Sequence, residues 1–213
     1  MYLPPQFDGS ELALADALMR EHPLASLISN DDDGLPYVTH LPLHLADEGG
    51  AAGRALLLGH CARANPHWLY LQQRPRAVVT FMGPQAYLSP AVYPDLARVP
   101  TWNYLAVHAT VQARLLDEAE AKDALLKQLI ADHEPAYAAQ WHGLEADWRQ
   151  GMLRGIVAFE LRVESLQCKV KLTQHRPESH AAMYEAYRSA DKDAARGLAQ
   201  WMERLGLVPQ ENL

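Results

Sequence analysis

The segment GHCARANPHW, residues 59–68, brings His60, Arg63 and Asn65 together where an apolar run, RALLL, gives way to a helical pattern. A guanidinium fork matches phosphate oxygens. Unpaired backbone N–H groups and the positive dipole end of a helix starting near Ala62 would add to it. The amide of Asn65 and the imidazole of His60 supply further donors, and together the group is a phosphate cradle. The same residues also read as a solvated helix start, with His60 ending the strand and Asn65-Pro66 making a turn. Spacing alone leaves both readings open.

Two further stretches could carry binding chemistry. In VPTWNYLAVHA (99–109), Trp102, Asn103, Tyr104 and His108 lie on one strand. An aromatic ring stacks on a planar ligand and an amide reads a ring edge. Trp102 and Tyr104 also share one strand face, which suits a core or a subunit interface. In KVKLTQHR (169–176), Lys169 and Lys171 share a strand face, with Gln174, His175 and Arg176 beyond. The stretch is locally basic within an acidic chain. Its alternative is a solvated edge whose lysines discourage strand pairing.

Other chemistries find no motif. His40 and His44 are four apart on a strand, about 13 Å at 3.3 Å per residue, too far to share an ion. HExxH, GxSxG, GxGxxG and GxxxxGK[ST] are all absent. Cys61 and Cys168 form no CxxC pair and read as packed, reduced thiols. No catalytic residue and no metal site is assigned.

The elements that must position these residues follow from periodicity and turn chemistry. Ser10 caps a helix over about 11–21. HPLASLIS (22–29) begins a strand after Pro23, and NDDDG turns the chain, with Gly34 free to take a positive φ. LPYVTHLPLHL is the next strand, its prolines Pro36 and Pro42 placing it at an edge or a bend. ADEGGAAGR is a hairpin loop, ALLLGH a returning strand, and residues 62–73 a helix. RAVVTFMG (76–83) and QAYLSP (85–90) are strands joined by a Gly-Pro turn. TWNYLAVHATVQARLL (101–116) alternates as a long strand. Asp117 caps the helix that follows, with Glu120 in the capping-box position. RGIVAFELRVESLQ is the last long strand, and CKVKLTQHRP trails from it. Two helices close the chain. In the second, Leu198, Trp201, Met202 and Leu205 hold one face, and Gly206 is the stop.

About six strands with hairpin-like links and no βαβ alternation disfavour a doubly wound sheet and suit an antiparallel barrel with peripheral helices. The chain has 213 residues, 49% hydrophobic and 21% charged, with a net charge of −7. That is ample for a packed core and poor for unaided binding to DNA or an anionic membrane. A signal peptide and a membrane-spanning apolar run are absent, so a cytoplasmic protein is expected.

Eight pieces occur in one order across about residues 1 to 177: MYLPPQF, HPLASLIS, THLPL, GHCARANPHW, FMGPQAYLSP, VPTWNYLAVHA, RGIVAFEL and KVKLTQHRP. This ordered set resembles the PaiB family, FMN-binding negative transcriptional regulators of the split-barrel flavin-binding superfamily, related to pyridoxamine phosphate oxidase. The resemblance implies a six-stranded antiparallel split β-barrel over 1–176, a helical extension over 177–213 packed on it, and a homodimer holding FMN between subunits. It implies phosphate or ribityl contacts from His60, Arg63 and Asn65, with Lys171 in support, and ring or ribityl contacts from Thr39 and His40. Trp102, Asn103 and Tyr104 would reach the cofactor of the facing subunit, and Gln174 belongs to the same candidate set. Where the family commonly reads KLSQN this chain has KLTQH, which puts a titratable group at His175. The implied output is regulatory, through a DNA or protein partner, although no helix-turn-helix pair is visible. A flavin-dependent oxidoreductase acting on a small substrate is the alternative. A third reading is a haem protein with His60, His108 or His175 as axial ligand.

Overall fold

The computed structural model describes residues 1–9, 12–46, 55–95 and 97–208. The expected cap at Ser10 and residues 47–54 of the expected hairpin loop lie outside them. Seven strands form one sheet in the order β2-β1-β5-β6-β7-β4-β3. They are β1 Leu24–Asn30, β2 Pro36–Pro42, β3 His44–Leu45, β4 Leu56–Ala62, β5 Arg76–Leu88, β6 Thr101–Leu116 and β7 Ile156–Lys171. β1 pairs antiparallel with β2 and β5, and β4 pairs antiparallel with β3 and β7. The helices are α1 Leu12–Glu21, α2 His67–Gln73, α3 Ala119–His133, α4 Ala138–Gly143, α5 Ala146–Arg154, α6 His180–Arg188 and α7 Asp193–Arg204. Among the described residues no helix is long and apolar enough to cross a membrane.

The expected six-stranded count is therefore corrected to seven, in a sheet with two edges. LPYVTHLPLHL is not one strand. It bends after Pro42, which lacks an N–H to continue the ladder, and resumes as β3 on the opposite edge of the sheet. The expected Gly-Pro turn is also corrected: β5 runs unbroken through Gly83-Pro84. Burial alternates on odd positions from Ala77 to Gly83, then shifts to Pro84 and Leu88. That one-residue slip re-aims the strand without ending it.

The chain divides into two compact units. One comprises residues 22–81 and 108–166. Its core contains Leu27, Leu41, Leu57, Leu71, Phe81, Val111, Phe159 and Leu161, all at most 5% exposed. β2 and β4 stand near opposite ends of the strand order yet approach each other, so the sheet of this unit curls. Gly59 permits close packing there, since a Cβ would meet Leu43 Cδ2 at 2.5 Å and Phe159 Cε2 at 3.2 Å.

The other unit comprises residues 1–21, 82–107 and 167–213. Leu18, Leu105, Leu172, Met183, Leu198 and Met202 are its buried centre. Gly83 lies so close to Leu18 and Leu105 that a Cβ would stand 2.4 Å from Leu18 Cδ1. α7 closes as its sequence indicates. Gly206 has φ +65°, and Leu207 N–H donates to the Met202 carbonyl at 2.9 Å.

Candidate functional site

The GHCARANPHW segment folds differently from the helical start its residues suggest. β4 continues to Ala62, residues 63–66 form turns, and α2 begins only at His67 with Pro66 before it. The expected helix start near Ala62 is thus corrected by five residues, and Arg63 lies outside the helix. Its exposed guanidinium is occupied. Nε donates to the Arg154 carbonyl at 2.9 Å, and Nη2 to the Ile156 carbonyl at 3.3 Å and to Asp117 at 3.4 Å. The first two bonds tie β4 to the end of α5 and the start of β7. Asp117 accepts from Lys122 as well, at 3.0 Å. Drawn to these two cations, Asp117 does not cap α3, whose N-cap position is Glu118 with no side-chain cap and no capping box.

What the turn does assemble is a polar cluster between β2 and the start of α2. Asn65 Nδ2 donates to Thr39 Oγ1 at 3.1 Å, and Asn65 Oδ1 accepts from Tyr37 O–H at 3.3 Å and from the His67 backbone N–H at 3.0 Å. His67 Nδ1 lies 2.7 Å from Thr39 Oγ1. The Tyr37 ring meets the His67 ring edge-on, with centroids 5.1 Å apart. His67 is 1% exposed, and its Nε2 is buried without a hydrogen-bond partner among the described residues. Burial pushes this imidazole down to about 4, so it is neutral at physiological pH.

Neutrality couples the His67 tautomer to Thr39. If Nδ1 carries the proton, it donates to Oγ1 and leaves the Thr39 hydroxyl hydrogen for another acceptor. If Nε2 carries it, the hydroxyl donates to Nδ1. His60, on β4, has a buried Nδ1 without a partner among the described residues, and burial lowers its pKa. His40 is exposed on the opposite face of β2, with Nδ1 3.0 Å from Ser26 Oγ.

The site residues of the other unit have distinct surroundings. Asn103 is fully buried. Its Nδ2 donates to the Tyr187 hydroxyl oxygen at 3.1 Å and faces Met183 Sδ at 3.2 Å, while Oδ1 accepts from Thr173 O–H at 3.1 Å. A ligand could reach this amide only if that network opened. Trp102 is 48% exposed, its Nε1 donates to Gln85 Oε1 at 2.7 Å, and it packs edge-on with Tyr87. Both rings border a cavity of about 380 Å³ that Tyr187 and Lys192 also line. Tyr104 lies under Lys169, with the ammonium 5.3 Å from its ring centroid. Lys171 donates to Thr101 Oγ1 at 2.7 Å, and Gln174 turns back to the Val170 carbonyl at 2.5 Å. His175 is exposed beside Phe7, and His108 is half-buried, which lowers its pKa.

Sequence reasoning passed over His67 and Tyr37. The available signal was the i, i+4 spacing of His67 and Leu71, the two buried residues of α2. That spacing marks a helix face turned inward, where a histidine must find polar company.

Comparison with known proteins adds the following. A family model described as "Putative FMN-binding domain" matches residues 1–165. The chain is 29% identical over 205 residues to Protease synthase and sporulation protein PAI 2 of Bacillus subtilis (strain 168), covering 95% of this chain and 97% of that one. It is 28% identical over 157 residues to the uncharacterized protein YKL070W of Saccharomyces cerevisiae, covering 63% and 90% respectively. Among solved structures, the flavocytochrome Anf3 from Azotobacter vinelandii superposes with a TM-score of 0.58 at 15% identity, covering 76% of this chain and 67% of that one. The FAD and heme binding protein from Mycobacterium smegmatis gives 0.53 at 20% identity, covering 78% and 74%. At these identities the two structures speak to the fold.

Proposed function

The chain belongs to the FMN-binding domain family matched over residues 1–165, and from that premise we propose that it is a PaiB-like flavin-binding protein. FMN is the proposed flavin and the output regulatory, as the PaiB resemblance implies. The family match carries the reading, and the donor set of the structure fits it. His67 Nε2 and His60 Nδ1 are buried without a partner among the described residues, and Thr39 has a hydroxyl whose hydrogen the His67 tautomer can release. Such groups suit the hydroxyls and ring edge of a flavin better than an apolar ligand.

In this reading Thr39, His40, His60, Arg63 and Asn65, now joined by His67, contact the flavin, Lys171 and Gln174 belong to the same candidate set, and Trp102 and Tyr104 reach the cofactor of the facing subunit; Asn103 would have to give up its hydrogen bonds to do so. The protein's part is to bind, orient and shield, and a bound flavin would supply electron-transfer chemistry. The reading brings with it a split barrel, a homodimer and a boundary near residue 176. The curl of the sheet supports the barrel, and the outward-facing Val38 and Val78, 46% and 38% exposed, supply apolar surface for a second copy.

The test is a visible absorption spectrum of freshly purified protein, followed by titration of the apoprotein with FMN. Flavin bands, or quenching of FMN fluorescence at micromolar concentrations, are expected. A colourless protein that leaves FMN fluorescence unchanged would overturn the reading. Haem is the second ligand to test, because His60 carries an unpartnered ring nitrogen and the solved relatives include a flavocytochrome and a haem-binding protein. A Soret band on haem addition, lost in His60→Ala, would favour it.

A further inference from the structure

Lys169 and Lys171 stand on β7, two residues apart and therefore on one face of the strand. Lys169 is only 7% exposed. Its Nζ donates to the Tyr2 carbonyl at 3.0 Å and lies 5.6 and 5.3 Å from the ring centroids of Tyr2 and Tyr104. Lys171 is half-buried and donates to Thr101 Oγ1 at 2.7 Å. Their described hydrogen bonds are to neutral oxygens, and Asp8 stands opposite Lys169 across an isolated antiparallel bridge.

Another buried lysine behaves differently: Lys122, 5% exposed, has Asp117 at 3.0 Å. An ammonium has three N–H donors, so one hydrogen bond apiece leaves most of the donors of Lys169 and Lys171 without an acceptor among the described residues. Withdrawing an unpaired charge from water is costly, and two like charges side by side add repulsion. Ring faces offset part of this for Lys169, and nothing equivalent serves Lys171. Burial lowers the pKa of Lys171, Tyr104 partly opposes the shift, and the charge of Lys169 lowers it further.

We propose that Lys169 and Lys171, framed by Tyr2, Tyr104 and the Thr101 hydroxyl, bind a phosphate-class dianion. A phosphate monoester matches the two positive charges and offers several acceptor oxygens to the vacant N–H donors. Thr101 Oγ1 accepts from Lys171, which leaves its own hydrogen to donate to the anion. The phosphate could be the tail of a bound FMN or a free phosphate. Only the first source rests on the flavin reading, and it moves the main anion contact from the occupied Arg63 to the lysine pair.

The test uses the full chain and its Lys169→Met and Lys171→Met variants, which keep side-chain length and remove the charge, with circular dichroism to confirm folding. Removing a buried charge whose described hydrogen bonds are to neutral oxygens should not unfold the protein, and Lys171, being half-buried, provides an independent variant should Lys169→Met fail to fold. Inorganic phosphate, FMN and riboflavin are titrated calorimetrically. If the phosphate belongs to FMN, FMN binds about tenfold or more tighter than riboflavin, inorganic phosphate competes with it, and each variant erases the difference. If the phosphate is free, it binds in a lysine-dependent manner while FMN and riboflavin do not differ. Lysine-dependent phosphate binding with no flavin binding at all would uphold the site and overturn the flavin reading. Equal binding of both flavins with no phosphate binding would overturn the site and leave the flavin reading standing. Phosphate and FMN affinities unchanged in both variants would also overturn it.

Discussion

Two polar clusters in this protein are built from nearly the same parts. In each, an asparagine amide and a threonine hydroxyl share a hydrogen bond of 3.1 Å, and the same asparagine meets a tyrosine hydroxyl. In the Asn103 cluster, Thr173, Tyr187 and Met183 occupy both ends of a wholly buried amide. In the Asn65 cluster, Thr39 and His67 leave a buried ring nitrogen without a partner among the described residues. The first is closed and serves structure, fastening the turn after β7 and helix α6 to β6. The second retains unspent hydrogen-bonding capacity, the condition a binding site must meet before its ligand arrives.

The sharpest way to break the comparison is to open the closed cluster. Asn103→Ala strands the Thr173 and Tyr187 hydroxyls in the interior and should cost about 2–5 kcal/mol of stability, read by urea denaturation. A loss below about 1 kcal/mol would show that the network does not hold the fold.

The open cluster should instead reveal itself through pH. The His67 pKa lies near 4 when folded and near its ordinary value of about 6.5 when unfolded. The unfolded state therefore binds more protons between those values, and stability rises with pH. The contribution is fully present above about pH 6.5 and is lost as pH falls towards 4, an effect on the order of 3 kcal/mol. Denaturation at stepped pH should show this slope in the native protein and a reduced one in His67→Gln.

Gly59, on β4 against Leu43, Leu41 and Phe159, probes how tightly the core of the same unit is packed. Gly59→Ala forces Leu43 aside and should cost about 1–3 kcal/mol by thermal denaturation. Arg63→Ala comes next. Its exposed guanidinium bonds to two backbone carbonyls, so about 1 kcal/mol of stability should go. FMN titration of the same variant separates a tether from a ligand contact, since a tether leaves affinity unchanged. The smallest effect is expected at Thr173, held at φ +60°. Thr173→Gly relieves backbone strain while losing the bond to Asn103, so the net change should stay within about 1 kcal/mol.

How much of this was legible varies with the range of the interaction. The strands β1, β4, β6 and β7 and the closing helix with its Gly206 stop follow from local alternation, helical spacing and cap chemistry. Three features did not. Gly83-Pro84 reads locally as a turn, yet it lies inside β5, with Gly83 packed closely against Leu18 and Leu105. The start of α2 moved because β4 pairs with β7 out to Ala62. Arg63 read as a free cation, yet its partners Asp117, Arg154 and Ile156 are more than fifty residues away.

The sequence by itself determined the antiparallel run of strands, the acidic balance, the ordered motifs that identify the family, and the three segments rich in binding groups. These are properties of composition and short-range period, which any folded arrangement of the chain must carry. Only the tertiary structure decided which polar groups were already satisfied. A hydrogen bond is spent or available according to what lies beside it in space, so Asn103 became a fastener while His67 kept a buried ring nitrogen without a partner among the described residues.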